Sequence, residues 1–232
     1  MEFTSACVVG AGRVGSAVAA RLAERMPTRI VGHEHELDTA GADLVLLCVP
    51  DRAVPEVAAG IPPGPWIAHT SGARTLDALA PHVRRFSLHP LQTFVPSRGP
   101  EQLDGAWAAV SGESDEAVEA GFALAGLLGL HAFVLDDEDH PLYHAAAAVA
   151  SSFLVTIHWA AAELFRVAGA PPEALLPLMR QTMDNDFELT GPLTRGDWET
   201  VERHLEVIRE RRPDLEPMYR ALIDVTAAVA AQ

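Results

Sequence analysis

Between Ser5 and Leu135 the chain alternates short apolar runs with stretches of helical spacing. Apolar runs at Ser5–Gly10, Thr28–His33, Asp43–Val49, Trp66–Thr70, Arg85–His89, Trp107–Ser111 and His131–Leu135 read as strands. Arg13–Arg25, a segment opened by Pro50-Asp51 and running to about Ala59, Thr75–Val83, and a segment capped by Ser114 and running to about Leu128 read as helices. The link between the second and third strands is too short for more than one helical turn. Pro90 lacks an amide hydrogen and is expected to end its strand. Alternating strands and helices predict an α/β fold, a mostly parallel sheet with helices on both faces. After Asp136 the strand signals stop, and four helices are predicted, at about 138–168, 172–186, 197–210 and 214–230. The expected division is therefore a sheet domain over 1–136 and an all-helical domain over 137–232.

The first of those helices contains PLYHAAAAVASSFLVTIHWAAA, Pro141 to Ala162, long enough to cross a bilayer. It carries His144, His158 and two adjacent serines, is rich in Ala rather than Leu, and has no basic flank. It reads as a helix buried in protein. A helix apolar nearly all round needs cover on every side. Three neighbouring helices do not suffice, so a homodimer is expected.

Charge narrows the partners. The 232 residues carry a formal net charge of -15, which repels phosphate backbones, so no nucleic-acid partner is expected. All 17 basic residues are Arg, so no mechanism that depends on Lys is available. Cys7 and Cys48 lie in apolar strand-like runs and read as buried hydrophobes, which fits a reducing cytoplasm. The N-terminus enters a strand pattern with no basic region, so no signal peptide is expected.

The first strand leads into GAGRVG, with glycines at positions 10, 12 and 15, followed by a helix. In this context the loop reads as a dinucleotide cradle. Gly10 permits the turn, Gly12 lets the backbone approach a diphosphate, and Gly15 lets the helix pack close. Gly10, Ala11, Gly12, Arg13, Val14 and Gly15 are thus candidate cofactor contacts, with Val49, Pro50, Thr70 and Ser71 at neighbouring strand ends. Glu34 follows the second strand, where a carboxylate would accept from both ribose hydroxyls and favour NAD. Arg13 can reach a 2′-phosphate, so NADP stays open.

Ligands of such sheets lie beyond the carboxyl ends of the strands. Two of those ends are chemically unusual. AHTSGARTL supplies Thr70, Ser71 and a close-approach Gly72; SLHPLQTF supplies His89 and Gln92. His144, Ser151 and His158 are spaced by seven on the long helix and form a polar stripe. His144 and His158 are about 21 Å apart, too far to share a small site. His144 and His89 are the candidate proton partners. In DDEDHPLYH, His140 and His144 are spaced for a metal, but the acids are explained by the helix dipole and Pro141 by a first helical turn, so no metal is expected. Further on, Asn185 precedes a break at Gly191-Pro192; Arg195 is a carboxylate or phosphate clamp, and Asp197 caps the next helix.

The glycine loop, AHTSG, HPLQTF, the YHAAA…SSF helix and LTGPLTRGDWETVERHL occur in this order. Together they resemble Rossmann-like proteins with a DUF2520 C-terminal domain. That group is similar in plan to pyrroline-5-carboxylate reductase, F420-dependent NADP oxidoreductase and the 6-phosphogluconate and 3-hydroxyisobutyrate dehydrogenases. The resemblance implies a Rossmann-type sheet with a helical dimerisation domain and an NAD(P)-dependent oxidoreductase. It would move hydride between nicotinamide and a small carbonyl, imine or alcohol. Ser71, Gln92, Ser151, Ser152, Asn185 and Arg195 are the candidate substrate contacts. The helix Lys of the hydroxyacid dehydrogenases is absent, and His144 falls in roughly its place. Relatives read Ser-Asn where this chain has Ser151-Ser152, which weakens substrate contacts there. A dinucleotide-binding regulatory dimer without turnover, and a deazaflavin-dependent NADP reductase, are the alternatives.

Overall fold

A computed structural model describes residues 1–231. Seven strands form one sheet: β1 (Ala6–Val9), β2 (Thr28–Val31), β3 (Leu44–Leu47), β4 (Trp66–His69), β5 (Arg85–Leu91), β6 (Trp107–Gly112) and β7 (His131–Val134). Their order is β2-β1-β3-β4-β5-β6-β7. Every neighbouring pair is parallel except β5 with β6. The chain starts in the interior and reverses direction between β1 and β3, which makes their carboxyl ends the switch point where doubly wound sheets hold ligands.

The inner strands bury both faces, which is why they read as continuous apolar runs rather than alternating ones. On one face Val8, Leu46, Ala68, Phe86, Leu88 and Val110 pack with Val18, Leu22, Leu124 and Leu128 of α1 (Arg13–Ala23) and α3 (Asp115–Leu128). On the other, Cys7, Val9, Val45, Leu47 and Ile67 pack with Val54 and Ala58 of α2 (Val54–Ala59) and with Leu79. The Ser114 hydroxyl accepts from the Ala117 amide at 3.2 Å and starts α3, as predicted. No helix joins β2 to β3.

Two elements differ from the sequence reading. Thr75–Val83 forms only a 3-10 turn, Leu76–Leu79, because Pro81 has no amide with which to continue a helix. And β5 runs through Pro90 to Leu91, with Pro90 opposite Ala108. β4 stops pairing at Ser87, so past that residue one side of β5 is open and a missing donor there breaks no ladder bond.

The chain divides into two compact units, Met1–Ala150 and Ser151–Gln232. The first compact unit thus runs past 136, because the helix α4 (His140–Ala148) is pinned to the sheet through His140. In the second unit α5 (Leu154–Ala168), α6 (Leu175–Asp184), α7 (Trp198–Arg211) and α8 (Glu216–Ala230) follow in sequence. Ala160, Ile208 and Leu215 form its small core, with Leu164, Met218 and Tyr219 against them.

Between α4 and α5 the backbone makes a π turn, Val149–Phe153, which includes Ser151 and Ser152. A π turn inserts a residue and rotates the succeeding helical positions by about 100°. The seven-residue spacing of His144, Ser151 and His158 thus runs through a π turn rather than along one regular α-helix. The expectation that this helix is buried also fails within the chain. Over Asp137–Ala168 only 11% of its most apolar window is covered, and Val149, Phe153, Val155 and Trp159 are exposed. The length and composition would suffice to span a membrane.

Candidate functional site

The glycine loop joins β1 to α1 at the switch point. Gly10 has φ +109°, and a Cβ there would stand 2.4 Å from the Cys48 carbonyl oxygen. A Cβ on Gly15 would stand 1.8 Å from the Gly10 carbonyl oxygen. Both glycines are therefore demanded by packing. Gly12 differs: a Cβ there would meet nothing within 4 Å, so the backbone faces open space. The first amides of α1 lack intrahelical acceptors and the helix dipole is positive at that end.

A cavity of 750 Å³ opens from this loop. Gly10, Ala11 and Gly12 line it together with Gly32, His33, Glu34, His35, Val49 and Pro50. The structure thus gathers Glu34, Val49 and Pro50 with the glycines. Glu34 is exposed at the rim, with its carboxylate 3.8 Å from the His33 ring. A smaller cavity of 430 Å³ shares Ala11 and Gly12 with the larger one, and Arg13, Ser16 and Arg98 line it. Val14 sits half-buried against the core, and Gly15 is buried.

Beyond β4 and β5 lies a cluster of histidines. Gly72 is its floor: a Cβ there would be 2.7 Å from His89 Nε2 and 2.8 Å from His144 Cδ2. The two candidate proton partners therefore meet over one glycine, with ring centroids 6.1 Å apart. His89 is half-buried and His144 exposed. Burial holds the His89 imidazole down to about 4, with the neighbouring His144 adding to it. Burial also lowers buried His69, at the end of β4, to about 4. Both are neutral at physiological pH.

His140, which the sequence offered only as a metal ligand, turns inward instead. It is fully buried, and its Nδ1 donates to the Gly72 carbonyl oxygen at 3.1 Å. Its Nε2 faces the Ser87 and Ser111 hydroxyls at 3.3 and 3.0 Å. Ser111 donates to the Leu135 carbonyl at 2.6 Å, which leaves Ser87 to donate to the ring. Asp137, three residues earlier, accepts the Leu76 amide with both carboxylate oxygens at 3.0 Å. The start of the long helix thus clamps both ends of the Gly72–Leu76 segment. Tyr143, which sequence reasoning missed, places its hydroxyl 2.9 Å from His89 Nδ1. Its only signal was adjacency to His144.

Other candidates are committed locally. The Ser71 hydroxyl accepts from the Ala73 and Arg74 amides at 3.2 and 3.1 Å. Thr70 donates to the Leu47 carbonyl at 3.4 Å. The Gln92 amide donates to the Gln102 carbonyl at 3.1 Å and accepts from the Thr93 amide at 2.8 Å, so it holds its own loop. Ser151, Ser152, Asn185 and Arg195 belong to the helical unit. There Asn185 caps α6 and accepts from Gln181 at 2.8 Å; Arg195 is exposed, two residues before Asp197, which caps α7 through the Thr200 amide at 3.1 Å.

A model for a domain of unknown function, DUF2520, matches residues 106–226, and a Rossmann-like domain model matches residues 18–93. The first covers more than half of the chain. The chain belongs to the DUF2520 family. Among solved structures, this DUF2520 protein is similar to a Bacteroides fragilis protein provisionally named an NADP oxidoreductase. The identity is 20%, the match covers 97% of this chain and 98% of that one, and the TM-score is 0.79. A Thermotoga maritima protein matches at 23% identity over 97% and 98% of the two chains, TM-score 0.75. A reductive aminase from Aspergillus terreus, solved with NADPH and ethyl levulinate, matches at 19% identity over 98% and 94%, TM-score 0.69. At these identities the likeness shows a shared fold. No curated protein matches the DUF2520 chain in sequence.

Proposed function

We propose that this DUF2520 protein is an NAD(P)-dependent oxidoreductase acting on a small carbonyl, imine or alcohol. One observation carries the reading. A glycine loop whose middle glycine faces empty space opens onto a cavity of 750 Å³ at the switch point of the sheet. A nicotinamide dinucleotide fits that arrangement. Its diphosphate would lie on the Gly12–Val14 amides, its adenosine half among Gly32, Glu34, Val49 and Pro50, and its nicotinamide toward Thr70 and Ser71. The bound cofactor supplies hydride chemistry. The chain's own residues supply position and a hydrogen-bond donor: Gly72 lets His89 and His144 approach, and the neutral His89 ring hydrogen-bonds the substrate heteroatom.

Glu34 supports a preference for NAD, because a carboxylate at the ribose repels a 2′-phosphate. Arg13 and Arg98 line the smaller cavity, whereas Glu34 lines the larger one, which supports that preference. A homodimer goes with the reading, a second copy covering the exposed face of the long helix, as does a reducing cytoplasm, since Cys7 and Cys48 are free. Calorimetry with NADH and NADPH tests binding, and a panel of oxo acids, aldehydes and imines tests turnover. Micromolar binding with NADH preferred, and turnover lost in His89→Gln, are expected. No heat with either dinucleotide sinks the proposal, and tight binding with no turnover on any substrate turns the protein into a sensor.

A further inference from the structure

The pair Tyr143–His89 carries more than the proposed function uses. The phenol oxygen lies 2.9 Å from Nδ1, with the two rings nearly perpendicular at 88°. Tyr143 is itself held edge-on by Phe133, centroids 6.1 Å apart. At the other edge of the imidazole, Nε2 and Cε1 face Gly72, where a Cβ would stand 2.7 Å from Nε2, so only a residue without a side chain leaves space beside that nitrogen. The ring is therefore held at its Nδ1 edge by Tyr143, the partner of that nitrogen among the described residues.

Two hydrogen-bond directions are open to such a pair. A phenolic oxygen shares its lone pair with its ring and accepts weakly, whereas the pyridine-type nitrogen of neutral imidazole accepts well. The phenol proton therefore goes to Nδ1, and the imidazole proton must sit on Nε2. Among the described residues no hydrogen bond of the chain engages that Nε2.

We propose that Tyr143 is a positioning residue that fixes His89 as an Nε2–H donor and thereby suits the site to a carbonyl oxygen rather than an iminium nitrogen. This rests on the oxidoreductase reading for its substrate; its tautomer rests on the Tyr143–His89 geometry and the acceptor strengths of the two groups. A carbonyl oxygen offers lone pairs to an N–H. A protonated imine offers none, and would need the opposite tautomer or a carboxylate. Burial keeps both partners neutral near pH 7, since it lowers His89 to about 4 and raises Tyr143 to about 12. A neutral imidazole that polarises a carbonyl is a known catalytic device.

The test separates the two layers. Long-range nitrogen–proton NMR on protein with ¹⁵N-labelled histidine, with His89 assigned by His89→Gln, reads the tautomer without any substrate. The Nε2–H pattern is expected for the wild type at pH 7.5, and a mixture of both tautomers in Tyr143→Phe. An Nδ1–H pattern in the wild type, or an unchanged spectrum in Tyr143→Phe, overturns the proposal. In steady-state assays Tyr143→Phe is expected to lower kcat for aldehydes and oxo acids by 10- to 100-fold with NADH affinity within twofold of wild type. Equal kcat in the two proteins, or faster turnover of cyclic imines than of every carbonyl, also overturns it. If no substrate turns over while the NMR result holds, the oxidoreductase reading falls and the tautomer assignment stands.

Discussion

His140 donates from Nδ1 to the Gly72 carbonyl oxygen at 3.1 Å, with its ring sealed from solvent. This bond joins the start of the long helix to the floor beneath His89 and His144. A buried imidazole of this kind is worth most through what its loss leaves unpaired. His140→Ala is expected to cost about 2–4 kcal/mol of unfolding free energy, from a cavity and an orphaned carbonyl. His140→Asn, whose amide can reach the same carbonyl, should cost less. Urea unfolding followed by circular dichroism measures both. A His140→Ala protein within about 0.5 kcal/mol of wild type would show that the bond contributes nothing.

The glycine loop separates folding from binding. Gly15→Ala would drive a methyl to 1.8 Å from a backbone oxygen, so it is expected to be insoluble or destabilised by more than about 3 kcal/mol. Gly12→Ala meets nothing in the chain and should melt within a few degrees of wild type. Its methyl would stand where the proposed reading puts the diphosphate, so dinucleotide affinity should fall at least tenfold. Thermal melts and calorimetry on the two variants decide this. A Gly12→Ala protein that binds NADH normally would place the phosphates elsewhere.

Acid should destabilise the sheet unit earlier than its carboxylates alone would. His69 and His89 titrate near 6.5 when exposed and are held to about 4 in the fold by burial. Above pH 6.5 both states are neutral at these rings, and they add no slope. As pH falls from 6.5 toward 4, the unfolded chain takes up protons that the folded chain refuses, so stability is lost across that window. The full loss is on the order of 3 kcal/mol per ring. Urea midpoints at pH 7.5, 6, 5 and 4.5 should fall steadily, and His89→Gln should flatten part of the slope. A flat profile in the wild type would mean that the rings are solvated.

The exposed long helix makes an assembly prediction. Val155 is 68% exposed and Phe153 56%, more apolar surface than a monomer normally leaves open on one helix. Sedimentation without detergent is expected to give a dimer, and Val155→Glu to shift it toward monomer. A monomeric wild type that instead partitions into lipid vesicles would show that bilayer, not protein, covers this helix.

Much of this was legible in the chain itself. Fully buried strands such as LVLL (Leu44–Leu47), the cap at Ser114, the glycines at 10, 12 and 15, and the missing helix between β2 and β3 are all local matters. Period, propensity and turn chemistry write them within a few residues. That is why the α/β class and the place of the glycine loop between β1 and α1 were legible in the sequence. His89 and His144 could be suspected singly, because each stands at a predictable end of an element.

Their meeting could not be read, nor could the partners that set their state. Gly72 touches His89 and His144 from positions far apart in sequence, Tyr143 reaches His89 across 54 residues, and His140 reaches Gly72 across 68. Pro90 stays in its strand because β4 stops pairing at Ser87, and the chain leaves Val149, Phe153, Val155 and Trp159 of the long helix exposed. Sequence patterning specifies which way a residue faces along its own element. Which side chain stands opposite, and how much water reaches the pair, is set only when distant elements pack, and that packing decides the protonation and hydrogen bonding of the site.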